Sequence, residues 1–334
     1  MASILIVGEF WSDEDEQKGR AFSGAAGGIL SGLLSQSGIE NQSHTRVVVF
    51  PLRPPSGRFD NWLTKDRANG VPNYGAFTRG NYVRADLAIH IAKFWQAVEA
   101  AQPNVIVALG NVALWALTGR TGIDKQRGSP MLSKSGDYKV ICTWPMSSII
   151  KQWELRPIVF MDLCKAKRES DSPRLSRPSR VIRLAPSLED IADFYERHIV
   201  PAPFIAPDIE TKAGQITEFG LATSPRAALV IPFWDRKRGN YWRTLEEELA
   251  AWGWVRRILA EKDCVGQNFQ YDMQYLYAKY ALPSPRFVGD TMLLAHSLQP
   301  EMKKSLGFLG SIYTNEPSWK FMRTDHSTLK QGDD

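Results

Sequence analysis

Two α/β domains in series are what this sequence predicts, on three observations. Its 334 residues exceed one compact core of about 150 residues. In the first half, short runs rich in Val, Ile and Leu alternate with segments of helical period, the pattern of a parallel sheet covered by helices. Between Cys164 and Pro186 a polar, basic stretch rich in Pro and Ser interrupts that pattern.

Before this joint, residues 4–8 read as a strand and 24–37 as a helix of small residues. Residues 46–50 form the next strand. Residues 84–101 form a helix with apolar positions at Leu87, Ile91, Phe94 and Val98. A strand at 104–109, a helix at 111–117 and a strand at 139–143 complete the half. In the joint, seven Lys/Arg face two acids from Lys165 to Arg183, which suits either a solvated spacer or a phosphate-contacting strap. The expected organisation is a first domain over 1–165, a basic linker over 166–186 and a second domain over 187–334. After the joint come a helix at 188–198, strands at 204–210, 216–222 and 228–232, a helix at 245–261 and a strand at 264–267. Helices at 271–280, 291–299 and 305–313 follow, so the second half is a mixed α/β domain opening on a three-stranded meander.

Composition narrows the function classes. With 43% hydrophobic and 23% charged residues the chain is not wholly disordered. No run of about 18 apolar residues occurs, so no ordinary transmembrane helix and no membrane partner are expected. The apolar start Ile4-Leu5-Ile6-Val7 is too short and lacks the basic flank of a signal peptide. Three scattered cysteines, Cys142, Cys164 and Cys264, supply no disulfide framework and no CxxC pair, and suit a reducing cytoplasm. A net charge of +5 with pI near 9.0 points weakly to a polyanion, since Lys and Arg displace counterions from phosphates.

The second half carries the residues for metal chemistry. Pro207-Asp208-Ile209-Glu210-Thr211 ends a predicted strand, and alternation puts Asp208 and Glu210 on one face. Paired carboxylates repel unless a cation lies between them, and hard oxygen ligands suit Mg²⁺ or Mn²⁺. Further on, Val265-Gly266-Gln267-Asn268-Phe269-Gln270-Tyr271-Asp272 ends a strand and opens a helix, with Asn268 and Asp272 one turn apart. Gly289-Asp290-Thr291-Met292-Leu293 opens another helix, and Lys304-Ser305-Leu306 follows.

Taken in order, these four elements resemble the DnaQ-like (DEDD) superfamily of 3′–5′ exonucleases, over roughly residues 205–320, and look closest to the proofreading domain of family A DNA polymerases. The resemblance implies a ribonuclease H-like fold with two divalent ions about 4 Å apart, one activating water and both stabilising the leaving 3′ oxygen. It implies that Asp208 bridges both ions, that Glu210 binds the nucleophile-side ion, and that Asp272 reaches the other through water. Thr211 and Asn268 fall where such enzymes contact the terminal nucleotide. Asp290 reads instead as the N-cap of the helix starting at Thr291. The family's fourth acid, in a Tyr-x-x-x-Asp pattern, is missing: Tyr277, Tyr280 and Tyr313 are followed four residues on by Ala281, Ser284 and Pro317. His326, Asp333 and Asp334 do not supply it. The expectation is a fragment of a longer polymerase or an impaired exonuclease.

In the first half, the strand ending in Val7-Gly8-Glu9-Phe10-Trp11-Ser12 is expected to run into an acidic loop, Asp13 to Glu16, and then a Gly-rich loop, Gly19-Arg20-Ala21-Phe22-Ser23-Gly24-Ala25-Ala26-Gly27, opens a helix. Glycines at a helix start permit close backbone approach to an anion such as a DNA phosphate. This segment, with Arg53-Pro54-Pro55, Val105-Ile106-Val107-Ala108-Leu109-Gly110-Asn111 and Thr143-Trp144-Pro145-Met146-Ser147, is similar to the uracil-DNA glycosylase superfamily, above all its iron–sulfur class and the glycosylase-like domain of some phage DNA polymerases. The resemblance places Phe22 where the family stacks an extruded base, with Arg20 on the DNA. Glu9, Asp13, Trp144 and Ser147 mark a vestigial pocket, in which Asp13 and Glu14 keep the capacity to position water. The departures fall on the chemistry. Trp144 replaces the family's anion-steadying His, and neutral indole cannot become a cation. Trp144 is expected to fill that pocket, and with the cluster cysteines absent no iron–sulfur cluster is expected.

The leading expectation is therefore a replication protein of phage DNA polymerase type. It joins an inactive glycosylase-like DNA-binding domain to a proofreading exonuclease acting on single-stranded 3′ ends, with a polymerase module in cis or in trans. A non-catalytic DNA-binding scaffold is the alternative, and an active uracil-DNA glycosylase a weaker one.

Overall fold

β1 (Ile4–Phe10) begins with Ile4, Leu5, Ile6 and Val7 fully buried, as a parallel strand covered on both faces requires. The structure is a computed structural model that describes residues 3–283 and 286–318. After β1 come α1 (Asp13–Lys18), α2 (Ala25–Gln36) and β2 (His44–Phe50). A small antiparallel ribbon, β3 (Leu63–Thr64) with β4 (Tyr82–Val83), precedes α3 (Ala88–Ala101) and β5 (Val105–Leu109). Then follow α4 (Asn111–Thr118), the single turn α5 (Ile123–Gln126), β6 (Met131–Leu132), β7 (Lys139–Thr143), α6 (Met146–Lys151) and α7 (Arg156–Glu169). The sheet order is β2-β1-β5-β7-β6, parallel except for β6. α3 buries Ile91, Phe94 and Val98, the apolar stripe that its sequence spacing predicts.

Two local features differ from the sequence expectation. The acidic segment after Ser12 is a helix, α1, and not a loop. Ser12 Oγ accepts the Asp15 N–H while Asp15 accepts the Ser12 N–H, and four acids in the first turn complement the helix dipole. The expected linker over 166–186 is in part ordered structure. α7 runs on to Glu169, because Lys-Ala-Lys-Arg-Glu are strong helix formers whatever their charge. Val181–Arg183 forms a strand, β8, whose side chains are all exposed and so leave no alternation to read.

In the second unit, β8 is followed by α8 (Leu188–Phe194), which widens into one π-type turn, Tyr195–Ile199. β9 (Ala206–Lys212), β10 (Gln215–Ser224) and β11 (Ala227–Pro232) form the expected antiparallel meander. A two-stranded hairpin, β12 (Trp234–Asp235) and β13 (Gly239–Asn240), leads to α9 (Leu245–Glu261). Thr244 caps α9 by accepting the Glu247 N–H. Its Ala251, Val255, Ile258 and Leu259 pack with Ile209, Phe219, Leu229 and Ile231 in the core. β14 (Asp263–Gly266) lies parallel beside the start of β9 through an Ile205–Cys264 bridge. Then come α10 (Gln270–Met273), a π-type turn over Gln274–Lys279, β15 (Arg286–Asp290) parallel to β14, and α11 (Thr291–Leu298). The mixed sheet thus runs β8-β11-β10-β9 and continues through that bridge to β14 and β15.

α12 (Leu306–Tyr313) revises the expected domain limits. Residues 3–176 with 307–318 form one compact unit and residues 177–306 the other, where the sequence suggests a second domain over 187–334. Buried polar chemistry explains the grouping. The Lys165 ammonium, 1% exposed, donates to the carbonyls of Gly128 (2.7 Å), Ser311 and Thr314 (2.6 Å). Beside it, Arg127 and Asp162 form a fully buried bidentate pair at 3.0 and 2.9 Å, and Arg127 also lies 5.1 Å from the Phe308 ring centroid. A hydrophobic pattern carries no trace of such a contact.

Candidate functional site

In the second unit, strand alternation exposes Asp208 and Glu210 on one face of β9 while Ile209 between them enters the core. Asp272, on α10, is 5% exposed, and its Oδ1 accepts the Ile209 main-chain N–H at 3.0 Å. Its carboxyl is thereby anchored to the strand residue flanked by the other two acids. Burial, then the charges of Asp208 and Glu210, push Asp272 up to about 6, against the opposing pull of the Ile209 amide. Among the described residues, no three Asp, Glu, His or Cys side chains stand close enough to hold a metal ion as a set. The donor chemistry nonetheless fits a hard divalent cation. It consists of carboxylate oxygens alone, and a cation there would relieve the part of the Asp272 shift that the charges of Asp208 and Glu210 add to burial.

The loop before Asp272 is held by Asp290. Its carboxylate accepts from the Asn268 (3.1 Å), Phe269 (2.9 Å) and Met292 (2.7 Å) amides, so it caps α11 and pins the turn after β14. Burial opposes its ionisation, but these amides outweigh that and hold Asp290 below the usual carboxylate range. Asn268 takes a left-handed φ of 57°, a conformation Asn tolerates well among non-glycine residues. Thr211 Oγ1 lies 2.7 Å from the hydroxyl of Tyr271, a residue the sequence reasoning did not single out although it stands inside the Asn268–Asp272 motif. Lys320, His326, Asp333 and Asp334 lie outside the described residues.

In the first unit a cavity of about 430 Å³ opens at the C-terminal ends of β1 and β5. Glu9, Glu14, Asp15, Phe22, Met146 and Ser147 are among its walls. Phe22 reaches it through a left-handed φ of 58°, which costs a non-glycine residue about 1–2 kcal/mol. Its ring lies over Gly8, where a Cβ would come within 2.7 Å, and its carbonyl crowds Gly27, where a Cβ would come within 1.9 Å. Glu9 accepts the Val112 N–H at 2.9 Å, at the start of α4. Burial pushes its carboxyl up to about 7, in spite of the Val112 and Asn111 amides that favour the charge. Asp15 accepts the Ser23 N–H at 2.7 Å, closing the loop that presents Phe22.

Two expected pocket residues stand elsewhere. Asp13 pairs with Arg53 and is not among the cavity walls. Trp144 does not fill the cavity. Its indole N–H donates to Asp124 at 2.8 Å and Arg127 lies 5.5 Å from its ring, because a buried indole seeks an acceptor and a cation. Arg20 is exposed. Among the described residues no Lys, Arg or His lines the cavity, while three acids do. The sequence signal for Asp15 was its capping box with Ser12. Met146 carried no chemical signal.

Comparison with known proteins follows the same division. Residues 1–168 match the Uracil DNA glycosylase superfamily. The chain is 34% identical over 168 residues to a Type-4 uracil-DNA glycosylase of Thermotoga maritima, covering 49% of this chain and 76% of that enzyme. It is 23% identical over 329 residues to the DNA polymerase of Bacillus phage SP01, covering 88% of this chain and 32% of that polymerase, so it spans about a third of that relative's length. The crystal structure of the EXD2 exonuclease domain soaked in Mg and GMP is similar at a TM-score of 0.27 and 17% identity, over 42% of this chain and 72% of that one. Among the described residues no helix is long and apolar enough to cross a membrane. By the match to its first half, the chain belongs to the uracil-DNA glycosylase superfamily.

Proposed function

We propose that this chain works in DNA replication as the exonuclease-bearing part of a phage-type DNA polymerase, in cis or in trans with the polymerase module. The observation that carries the reading is the Asp272 carboxylate seated on the amide of Ile209, the residue that Asp208 and Glu210 flank in the strand. Asp208, Glu210 and Asp272 would hold Mg²⁺ or Mn²⁺, whose chemistry is to activate water and stabilise the leaving 3′ oxygen of a phosphodiester. The Asp290 hub fixes the Asn268 turn, and Thr211 and Tyr271, neighbours in sequence of Glu210 and Asp272, meet at 2.7 Å; in this reading Thr211 and Asn268 contact the terminal nucleotide. Similarity to the phage polymerase over 88% of this chain supports the same reading.

The glycosylase-like unit serves in this reading as a DNA-binding element without base excision. A uracil anion leaving its sugar is best stabilised by a positively charged donor near it. Among the described residues the cavity walls carry Glu9, Glu14 and Asp15 and no Lys, Arg or His.

The test uses a 5′-labelled single-stranded oligonucleotide with millimolar Mn²⁺ or Mg²⁺. Stepwise shortening from the 3′ end is expected, abolished in the double variant Asp208→Asn/Glu210→Gln. Isothermal titration should show Mn²⁺ binding lost in the same variant. Binding of the oligonucleotide without any digestion would overturn the exonuclease reading in favour of a DNA-binding scaffold.

A further inference from the structure

Two residues beyond Glu210, Lys212 lies on the same face of β9, about 7 Å farther along the strand. Around it opens a second cavity of about 370 Å³, contained in the second unit and assigned no role above. Its wall is an aromatic stack. Phe233 and Trp252 lie parallel at 3.7 Å and 11°, and Trp252 continues to Tyr280 at 5.0 Å and 29°. Lys212 Nζ stands 3.8 Å from the ring centroid of Trp234, whose residue is 36% exposed. Gln215, Thr217 and Asn240 add amide and hydroxyl groups to the lining.

Trp234 opens the β12–β13 hairpin, whose tip carries Arg236, Lys237 and Arg238, all exposed. Asp235 shapes this tip by accepting the Lys237 (3.0 Å) and Arg238 (2.9 Å) amides. Counting Lys212 and the tip against Asp235 and Glu248, the rim carries four positive and two negative charges. Flat aromatic walls, polar edges and a cationic rim are together the chemistry that single-stranded nucleic acid demands: stacking for bases and charge for phosphates.

We propose that this cavity is a nucleobase site for single-stranded DNA, holding a nucleotide on the 5′ side of the terminal one, while the Arg236-Lys237-Arg238 tip neutralises the flanking phosphates. The site rests on the exonuclease reading for its polarity, not for its existence. It would grip the strand entering the carboxylate site, and do so without choosing a sequence, because every base has a stacking face.

The test measures binding of oligo-dT, two and eight nucleotides long, to the full chain in EDTA, where digestion cannot occur. Trp234→Ala should weaken binding of the eight-mer at least about fivefold and leave the dinucleotide unchanged, whereas Trp234→Phe should retain most of the affinity. The triple variant Arg236→Ser/Lys237→Ser/Arg238→Ser should flatten the salt dependence of eight-mer binding. Circular dichroism checks that each variant folds. Equal eight-mer affinity for wild type and Trp234→Ala, or an unchanged salt slope in the triple variant, would overturn the site. If the wild type digests no DNA yet these binding differences appear, the exonuclease reading fails and the nucleobase site stands.

Discussion

The Asp272 carboxylate accepts the main-chain N–H of Ile209 at 3.0 Å, and so joins two segments 63 residues apart. That bond separates two roles of one side chain. Asp272→Asn keeps an acceptor for the amide and removes the charge. Asp272→Ala leaves a buried N–H without a partner, at a cost of about 1–3 kcal/mol. Both variants should lose 3′-end digestion. Urea unfolding should show the Asn variant within about 1 kcal/mol of wild type and the Ala variant clearly weaker. Matching losses of stability in the two would contradict the bond.

Glu9 should make stability fall with rising pH. Its folded pKa, about 7, lies above the ordinary value of 4.5, so the folded state holds the proton more tightly than the unfolded state does. That contribution is present in full below pH 4.5 and is lost as pH rises through 7. Glu9→Gln abolishes the term, so the variant should gain on wild type between pH 5 and pH 8, by at most about 3 kcal/mol. Denaturation midpoints for both proteins at the two pH values check this.

Two adjacent glycines in α2 should respond oppositely to alanine. A Cβ at Gly27 would meet the Phe22 carbonyl at 1.9 Å, a backbone atom that cannot swing away. Gly27→Ala should cost about 1–3 kcal/mol and move Phe22. Gly28 has open space around its Cβ position, and Gly28→Ala should stabilise by about 0.5–1 kcal/mol through backbone entropy. Thermal melts of the two variants decide it.

Lys165 should hold α12 in place. Lys165→Met leaves the Gly128, Ser311 and Thr314 carbonyls without their donor. A hydrogen bond from a charged group contributes about 1.5–3 kcal/mol, so amide exchange over 306–314 should quicken by at least about tenfold. Unchanged exchange there would show that packing alone retains the helix.

Uracil should not be released from single-stranded DNA. Among the described residues no Lys, Arg or His lines the cavity to steady a departing anion, so no alkali-labile site should form on a uracil-containing oligonucleotide, with or without Trp144→Ala. Strand breaks above background after alkali treatment would refute the inactive assignment.

Much of this protein was written in local pattern. The continuous apolar runs of β1, β5 and β7, the spacing of Ile91, Phe94 and Val98, and the alternation around Asp208 and Glu210 each place a residue by its own neighbours. Local capping chemistry likewise made Asp290 readable as an N-cap, because a cap contacts amides two residues away. Tertiary structure decided what depends on distant partners. Only folding could turn Trp144 toward Asp124 and out of the cavity, since an indole N–H goes to the acceptor that space provides. Only folding could bring the carbonyls of α12 to Lys165, 146 residues earlier, and make a buried anchor of a lysine that composition assigns to a solvated joint. Periodicity reports which face is apolar. It does not report which buried charge finds which carbonyl, because that pairing is set by three-dimensional proximity and by the cost of leaving either group unsatisfied.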